Sequence, residues 1–182
     1  MSSSRTNGRV FWTAAVVIVC LDFATKILAV RELSLHIPRK VIGNVVRLTL
    51  AYNPGAAFSM SLGDYSRYIF GGFAAIALFI LWRLYRTTAA GDSPRVLALG
   101  LAWGGAAGNL IDRFRSSDGV VDFIDIGVGD VRFWTFNVAD SAVTVGALLL
   151  AWVLWREDRA AQVARANGAA TPSKSSEARS SP

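Results

Sequence analysis

The stretch that decides the fold is Val10–Val30, which reads VFWTAAVVIVCLDFATKILAV. Its only charged residues are Asp22 and Lys26, and it is as long as the roughly 20 residues that a helix needs to cross the apolar core of a bilayer. A cleavable signal sequence would present small residues where these two charges lie. The stretch is therefore predicted to be a retained membrane span.

Three further apolar stretches of similar length follow, at Tyr68–Tyr85, Val96–Phe114 and Asn137–Trp155. Hydrophobic residues make up 53% of the chain and charged residues 18%, and the mean hydropathy is +0.39, so an ordinary soluble domain is excluded. We predict a mainly α integral membrane protein with four transmembrane helices. The predicted division is a cytoplasmic leader at 1–9, a four-span membrane domain at 10–155 and a disordered cytoplasmic tail at 156–182.

The connections between the spans carry strand patterns. In the loop at 31–67, Val45–Asn53 alternates apolar with polar or small residues after a Gly43-Asn44 turn signal. The loop at 115–136 repeats the design with β-prone residues at 120–126, a turn at 127–130 and a second short run at 131–134. A small extracytoplasmic β-sheet is predicted.

The charge distribution predicts the orientation. The side that holds both termini carries ten basic and four acidic residues, and the other side carries nine of each. Three arginines of the first side lie in the short 83–95 connection. Because short cytoplasmic loops are enriched in Lys and Arg, both termini are predicted to be cytoplasmic.

Composition also excludes several chemistries. Cys20 is the only cysteine and His36 the only histidine, so no disulfide within the chain and no metal site are predicted. The basic residues form no dense stripe, so no nucleic acid partner is predicted. No cofactor is expected.

Polar residues inside three of the spans indicate a site, because intramembrane polar groups are costly. Given the span directions, all of them lie at the outer ends of the spans, and helical spacing places each group on one face. They are Asp22 and Lys26 in the first span, Asn109, Asp112 and Arg113 in the third, and Asn137, Asp140, Ser141 and Thr144 in the fourth. The pattern predicts a polar cleft that opens outward.

Two features favour a close-packed bundle around that cleft. Gly100, Gly104 and Gly108 recur every four residues, which allows a neighbouring helix to approach closely. The segment at 53–58, NPGAAF, has little side-chain bulk after Asn53 until Phe58. An extended peptide could lie against such a backbone.

At this point the chain resembles the bacterial lipoprotein signal peptidases, also called signal peptidase II. The resemblance covers roughly 10–155 and rests on five ordered blocks: DFATK at 22–26, NPGAAFS at 53–59, GNLIDR at 108–113, VDFID at 121–125 and FNVADS at 136–141. It implies an aspartic endopeptidase of the bacterial inner membrane whose active site lies at the outer leaflet. Asp122 and Asp140 match the family's catalytic pair.

The resemblance also implies the partners and the supporting residues. The substrate would be a prolipoprotein that carries a diacylglyceryl group on a cysteine, cut just before that cysteine, and globomycin-type inhibitors would occupy the site beside membrane lipid. The positions matched to substrate-binding or supporting roles are Asp22, Lys26, Asn53, Gly108, Asn109, Arg113 and Asn137.

The residues alone leave alternatives. Asp140 could be a structural partner of Arg113, Asp22 and Lys26 could be a structural i, i+4 ion pair, and Asp122 is one of several acids in a loop expected to be flexible. If the loop is flexible, substrate would have to bring the two aspartates together. A proton-coupled transporter or a non-catalytic lipoprotein-binding protein could also use an intramembrane polar cleft.

Overall fold

A computed structural model of the chain describes residues 2–55 and 65–169. These residues form the helices α1 (Ser2–Glu32), α2 (Ser66–Thr87), α3 (Ser93–Arg115) and α4 (Val138–Ala169), and the strands β1 (Arg39–Ile42), β2 (Val46–Asn53), β3 (Val120–Val128) and β4 (Val131–Arg132). The strands of the two long connections join in one antiparallel sheet of order β1-β2-β3-β4. The prediction of a helical membrane protein with a small sheet is confirmed.

Three of the helices, α1, α2 and α4, are long and apolar enough to cross a bilayer. Large apolar side chains such as Val16, Phe73 and Leu148 lie on their outer surfaces, where lipid would solvate them. Helix α3, the third of the four predicted transmembrane helices, is present but is less apolar than the other three and does not meet the same criterion in the described part of the chain. The physical reason is that α3 packs against the other three helices, and glycine and alanine serve such contacts better than large apolar side chains.

The predicted glycine stripe brings α1 against α3. A Cβ atom at Gly100 would lie 2.8 Å from the carbonyl oxygen of Phe11, and one at Gly104 would lie 2.8 Å from that of Ala15. One turn further, a Cβ at Gly108 would lie 2.6 Å from Oδ2 of Asp22. The stripe therefore admits the α1 backbone along its length and makes room for a carboxylate at its outer end.

A second close approach joins α3 to α4. A Cβ at Gly105 would collide with the carbonyl oxygen of Ala139, and one at Gly146 would lie 2.7 Å from the carbonyl oxygen of Ala98. Since Ala139 directly precedes Asp140, this contact sets the distance between α3 and the start of α4.

At both ends of the membrane domain the helix continues beyond the predicted apolar span. The residues assigned to a leader at 1–9 continue α1, which begins at Ser2, and the amide of Asn7 is buried against the connection between α2 and α3. The segment at 156–182 is not disordered from its start, because α4 continues to Ala169. Residues 156–169 are rich in alanine and charged helix formers and contain no proline, so helix propensity carries α4 past the apolar span. Residues 170–182 lie outside the described part of the chain.

The extension of α4 is joined to α3 by Arg95, whose Nη2 lies 2.5 Å from Oε2 of Glu157 and whose Nε lies 2.9 Å from Oδ2 of Asp92. Glu157 is half exposed, so solvent screens the pair. We expect Glu157→Gln to lower the free energy of unfolding by less than about 1 kcal/mol. Thermal unfolding in detergent at low and high salt checks this, and a loss several times larger would contradict the assignment of a screened surface pair.

Candidate active site

Asp122 lies in the middle of a strand, not in a flexible loop. It occupies β3 opposite Ala51 of β2, and the N–H groups of Phe123 and Ile124 donate to the carbonyl oxygen of Phe136 on the other side. The β-branched and aromatic residues around it favour a strand, and pairing on both sides fixes it. The expectation of a mobile partner for Asp140 is therefore wrong.

Asp140 is fixed by the way that α4 begins. Oδ1 of Asn137 accepts from the backbone N–H of Asp140 at 2.9 Å, and Oδ2 of Asp140 accepts from the backbone N–H of Asn137 at 3.1 Å. This reciprocal pair is a capping box, with an asparagine as the cap and an aspartate three residues later. The local sequence Asn-Val-Ala-Asp thus begins α4 and also fixes the direction of the Asp140 carboxylate.

Asn137 also reaches the other carboxylate. Its Nδ2 donates to Oδ1 of Asp122 at 2.7 Å, and its side chain is completely buried. The remaining oxygens are held by two more amides: Nδ2 of Asn53 donates to Oδ2 of Asp122 at 3.3 Å, and Nδ2 of Asn109 donates to Oδ1 of Asp140 at 2.7 Å. The two carboxylates are therefore linked through Asn137 without substrate, which weakens the hypothesis that substrate must bring them together.

The proximity of the two acids has an electrostatic consequence. Burial of Asp122, followed by the negative charge of Asp140, raises the pKa of the Asp122 carboxyl to about 7, while the amides of Asn137 and Asn53 and the charge of Lys26 act in the opposite direction. Two carboxylates that cannot both ionise easily tend to share one proton near neutral pH. The site can thus hold an acid and a base side by side.

Below the pair lies a buried charge cluster, defined by Lys26, Asp22 and Asp112. Nζ of Lys26 lies 2.7 Å from Oδ2 of Asp22 and 2.9 Å from Oδ2 of Asp112, and the lysine side chain is only 2% exposed. Each acid also accepts a backbone N–H, Asp22 from Ala139 at 2.9 Å and Asp112 from Val121 at 3.2 Å. The cluster therefore braces the residues that immediately precede Asp140 and Asp122.

Arg113 connects α3 to the end of β2. Its Nη1 donates to the carbonyl oxygen of Asn109 at 2.9 Å and its Nη2 donates to that of Gly55 at 3.0 Å. The first residues of the NPGAAFS block are thus fixed beside the pair, while residues 56–59 of the block lie outside the described residues.

A cleft of about 910 Å³ opens over the two aspartates. Both carboxylates line it, together with Asn53, Asn109 and Arg113. Ser141 and Thr144, which the helical spacing placed in the polar cleft, also line it. Sequence reasoning did not select several other lining residues, namely Arg132, Phe133, Trp134, Thr135, Phe136 and Val145. A signal was present, because three aromatic residues in four positions directly before α4 exceed what a simple connection requires.

The neighbouring acids of the same connection have other surroundings. Asp125 is buried and accepts from Nε of Arg132 at 2.5 Å and from Oγ1 of Thr49 at 3.2 Å. Asp118 and Asp130 are exposed in turns. Asp122 is thus distinguished from them by its link to Asp140.

The fold and the site together define a bacterial multi-pass membrane protein with a pair of aspartates in a cleft between its helices and its sheet. Residues 14–156 match the sequence model of the peptidase A8 family, signal peptidase (SPase) II. The chain belongs to the signal peptidase II family, and it is an aspartic peptidase that cleaves signal peptides from prolipoproteins, as the sequence predicted.

Individual relatives agree with the family match. The chain is 42% identical over 144 residues to a lipoprotein signal peptidase of Desulforapulum autotrophicum, covering 76% of this chain and 86% of that protein. It is 43% identical over 153 residues to a lipoprotein signal peptidase of Cupriavidus necator, covering 82% and 85%. A bacterial membrane enzyme solved by the in meso method at 2.3 Å superposes with a TM-score of 0.73 at 30% identity, covering 80% of this chain and 87% of that one.

Proposed function

We propose that the chain is an endopeptidase that removes the signal peptide from diacylglyceryl-modified prolipoproteins, cutting just before the lipidated cysteine. The catalytic pair is Asp122 and Asp140, and residues 10–155 are the catalytic membrane domain. The observation that carries the proposal is that one buried residue, Asn137, binds both carboxylates at the floor of one cleft: its side-chain Nδ2 donates to Asp122 and its backbone N–H donates to Asp140. Membership of the signal peptidase II family supplies the substrate class.

The chemistry follows from one proton shared by two carboxylates. The ionised member takes a proton from a water molecule as that water attacks the scissile carbonyl carbon. The protonated member donates a hydrogen bond to the carbonyl oxygen and later supplies a proton to the leaving amine. Because the two carboxylates share one proton, the acid and base roles belong to the pair and not to a fixed residue.

The proposed supporting residues fall into two groups, those that contact the two carboxylates and those that hold the segments around them. Asn53, Asn109 and Asn137 hold the carboxylate oxygens, and Gly108 leaves space for Asp22. Asp22 and Lys26 act from the buried charge cluster, and Arg113 fixes the backbone at Gly55, against which an extended substrate would lie.

The orientation that fits this function places the sheet and the aspartates at the outer leaflet of the inner membrane, with both termini in the cytoplasm. Support comes from the arginines at the opposite ends of the helices, where Arg86, Arg156 and Arg159 stack on Trp82, Trp152 and Trp155. In this orientation the lipid of the substrate stays in the outer leaflet, next to the cleft. Globomycin-type inhibitors would compete for the same cleft.

The proposal is tested by incubating the purified protein with a prolipoprotein precursor, with and without its diacylglyceryl group, and determining product masses. We expect cleavage of the lipidated precursor only, immediately before the modified cysteine, and inhibition by globomycin. Equal cleavage of both precursors, or cleavage at another bond, would contradict the proposed substrate. Failure to release any peptide would contradict the enzyme assignment.

The raised pKa of Asp122 gives a pH dependence. Because burial and the charge of Asp140 raise this pKa to about 7, the shared proton is present below that pH and is lost above it. We expect kcat/KM to fall as the pH rises through about 7, since the doubly ionised pair has no acid left. Initial rates between pH 5 and 9 in one detergent check this, and a flat profile over that range would contradict the shared proton.

A further inference from the structure

The ammonium group of Lys26 has a third contact besides its two carboxylates. Nζ donates to Oδ1 of Asn109 at 3.0 Å, so all three N–H groups of the ammonium have acceptors. The lysine does not line the cleft and does not touch either aspartate of the pair by a hydrogen bond in the described residues. Through Asp22 it is connected to the backbone N–H of Ala139, and in that part of the chain it reaches the carboxylate of Asp140 through Asn109.

The side-chain amide of Asn109 accepts hydrogen bonds at its oxygen and donates one from its nitrogen. Oδ1 accepts from Nζ of Lys26 at 3.0 Å and from Nδ2 of Asn137 at 3.1 Å, whereas Nδ2 donates to Oδ1 of Asp140 at 2.7 Å. In the reversed orientation the NH2 group would face the ammonium and the carbonyl oxygen would face the carboxylate. Both contacts would then be repulsive, donor against donor and acceptor against acceptor.

We propose that Lys26 is a positioning residue that fixes the amide of Asn109 in the orientation that donates to Asp140. This inference deepens the proposed function and rests on it. A carboxylate that takes part in proton transfer needs a fixed direction whether it acts as the acid or as the base, and small misplacements of catalytic groups are costly in rate. The ammonium supplies that direction from outside the cleft, where substrate does not displace it.

A purely structural role is the competing explanation, because removal of one partner from a buried ion cluster leaves uncompensated charge. Lys26→Met alone would leave Asp22 and Asp112 buried without a cation, and the protein could simply fail to fold. The triple variant D22N/K26M/D112N avoids this problem. Its asparagine oxygens can still accept from the backbone N–H groups of Ala139 and Val121, and no net charge remains buried.

The experiment compares the wild type, the triple variant, N109A and the triple variant combined with N109A, each as the full-length protein in detergent. The fraction of folded protein is determined by size-exclusion chromatography and thermal unfolding. The values of kcat and KM are measured with the lipidated precursor. We expect the triple variant to fold and to lose about 10-fold to 100-fold in kcat, with KM changed by less than about twofold. In the N109A background we expect the same three changes to alter kcat by less than about twofold, because the amide through which Lys26 acts is already gone.

Several outcomes overturn the inference. A folded triple variant with wild-type kcat would show that the ammonium has no part in positioning. An equal loss of kcat with and without Asn109 would show that Lys26 acts by another route. If D22N/K26M/D112N does not fold, wild-type kcat in a folded D22N/K26L/D112N variant would overturn the inference in the same way. Absence of cleavage by the wild type would overturn the proposed function itself, so the two failures are distinguishable.

Discussion

Replacement of Asp140 by asparagine is expected to lower kcat for cleavage of a lipidated precursor by about 10³-fold or more. An amide cannot take a proton from water, and it leaves Asp122 without the negative neighbour that makes the two acids share a proton. The variant should still fold, because the amide oxygen of the new side chain can accept from either Nδ2 of Asn109 or the backbone N–H of Asn137, and only the other contact is lost as a donor-against-donor mismatch. That mismatch costs on the order of 1 to 3 kcal/mol.

The matched control for Asp140→Asn is Asp118→Asn. Asp118 is an exposed acid in the turn before β3 and lies outside the cleft. We expect this variant to cleave at the wild-type rate. That result would show that the loss of kcat in Asp140→Asn does not come merely from removing a negative charge near the site. Cleavage by Asp140→Asn within tenfold of the wild type would contradict its role in the pair.

Substitution of Gly105 by valine is expected to be the most damaging change among the helix contacts. The added Cβ would collide with the carbonyl oxygen of Ala139 and lie 2.8 Å from Cγ2 of Val143, so α3 and α4 must separate. Overpacking of this kind costs about 1 to 3 kcal/mol or more. The separation would also pull Asn109 away from Asp140, and a shift of about 1 Å can cost about 100-fold in rate.

Gly72→Ala is the control for this change, because a Cβ at Gly72 of α2 would meet nothing within 4 Å. Alanine is a better helix former than glycine, so the melting temperature of the Gly72→Ala protein should equal or exceed that of the wild type, and its activity should be unchanged. Thermal unfolding and initial rates of cleavage, measured for Gly105→Val and Gly72→Ala, check both expectations. A Gly105→Val protein with wild-type stability and activity would refute the close contact between α3 and α4.

The parts of the fold that sequence reasoning found are those set by local pattern. The alternation of Val46 to Asn53 and the Gly43-Asn44 turn gave β2 and its hairpin nearly to the residue. The four-residue spacing of Gly100, Gly104 and Gly108 predicted a close helix neighbour, although not that the neighbour is α1. Period and turn chemistry are local properties and can be read without the structure.

The parts that could not be predicted depend on contacts between distant segments. The β-prone residues at 120–126 predict the strand that holds Asp122, but nothing in that connection reveals that β2 and Phe136 pair with β3 on both sides and fix it. The contacts of Asn137 with both carboxylates likewise form only because α4 lies next to β3. Helix α3 is less apolar than the other three helices because it packs against all of them, which its own sequence does not reveal. The extension of α4 is a different case, since its helix propensity was visible but was outweighed by its polar composition.

The central claim is that Asp122 and Asp140 work as one pair, and Asp122 is the member that pattern alone did not distinguish. The most direct measurement is the single-turnover rate of signal-peptide release from a lipidated precursor by Asp122→Asn, beside Asp118→Asn and Asp130→Asn, with folding checked by size-exclusion chromatography. We expect Asp122→Asn to be at least about 10³-fold slower than the wild type while the two exposed-acid variants match it. Release by a folded Asp122→Asn protein at the wild-type rate would contradict the account.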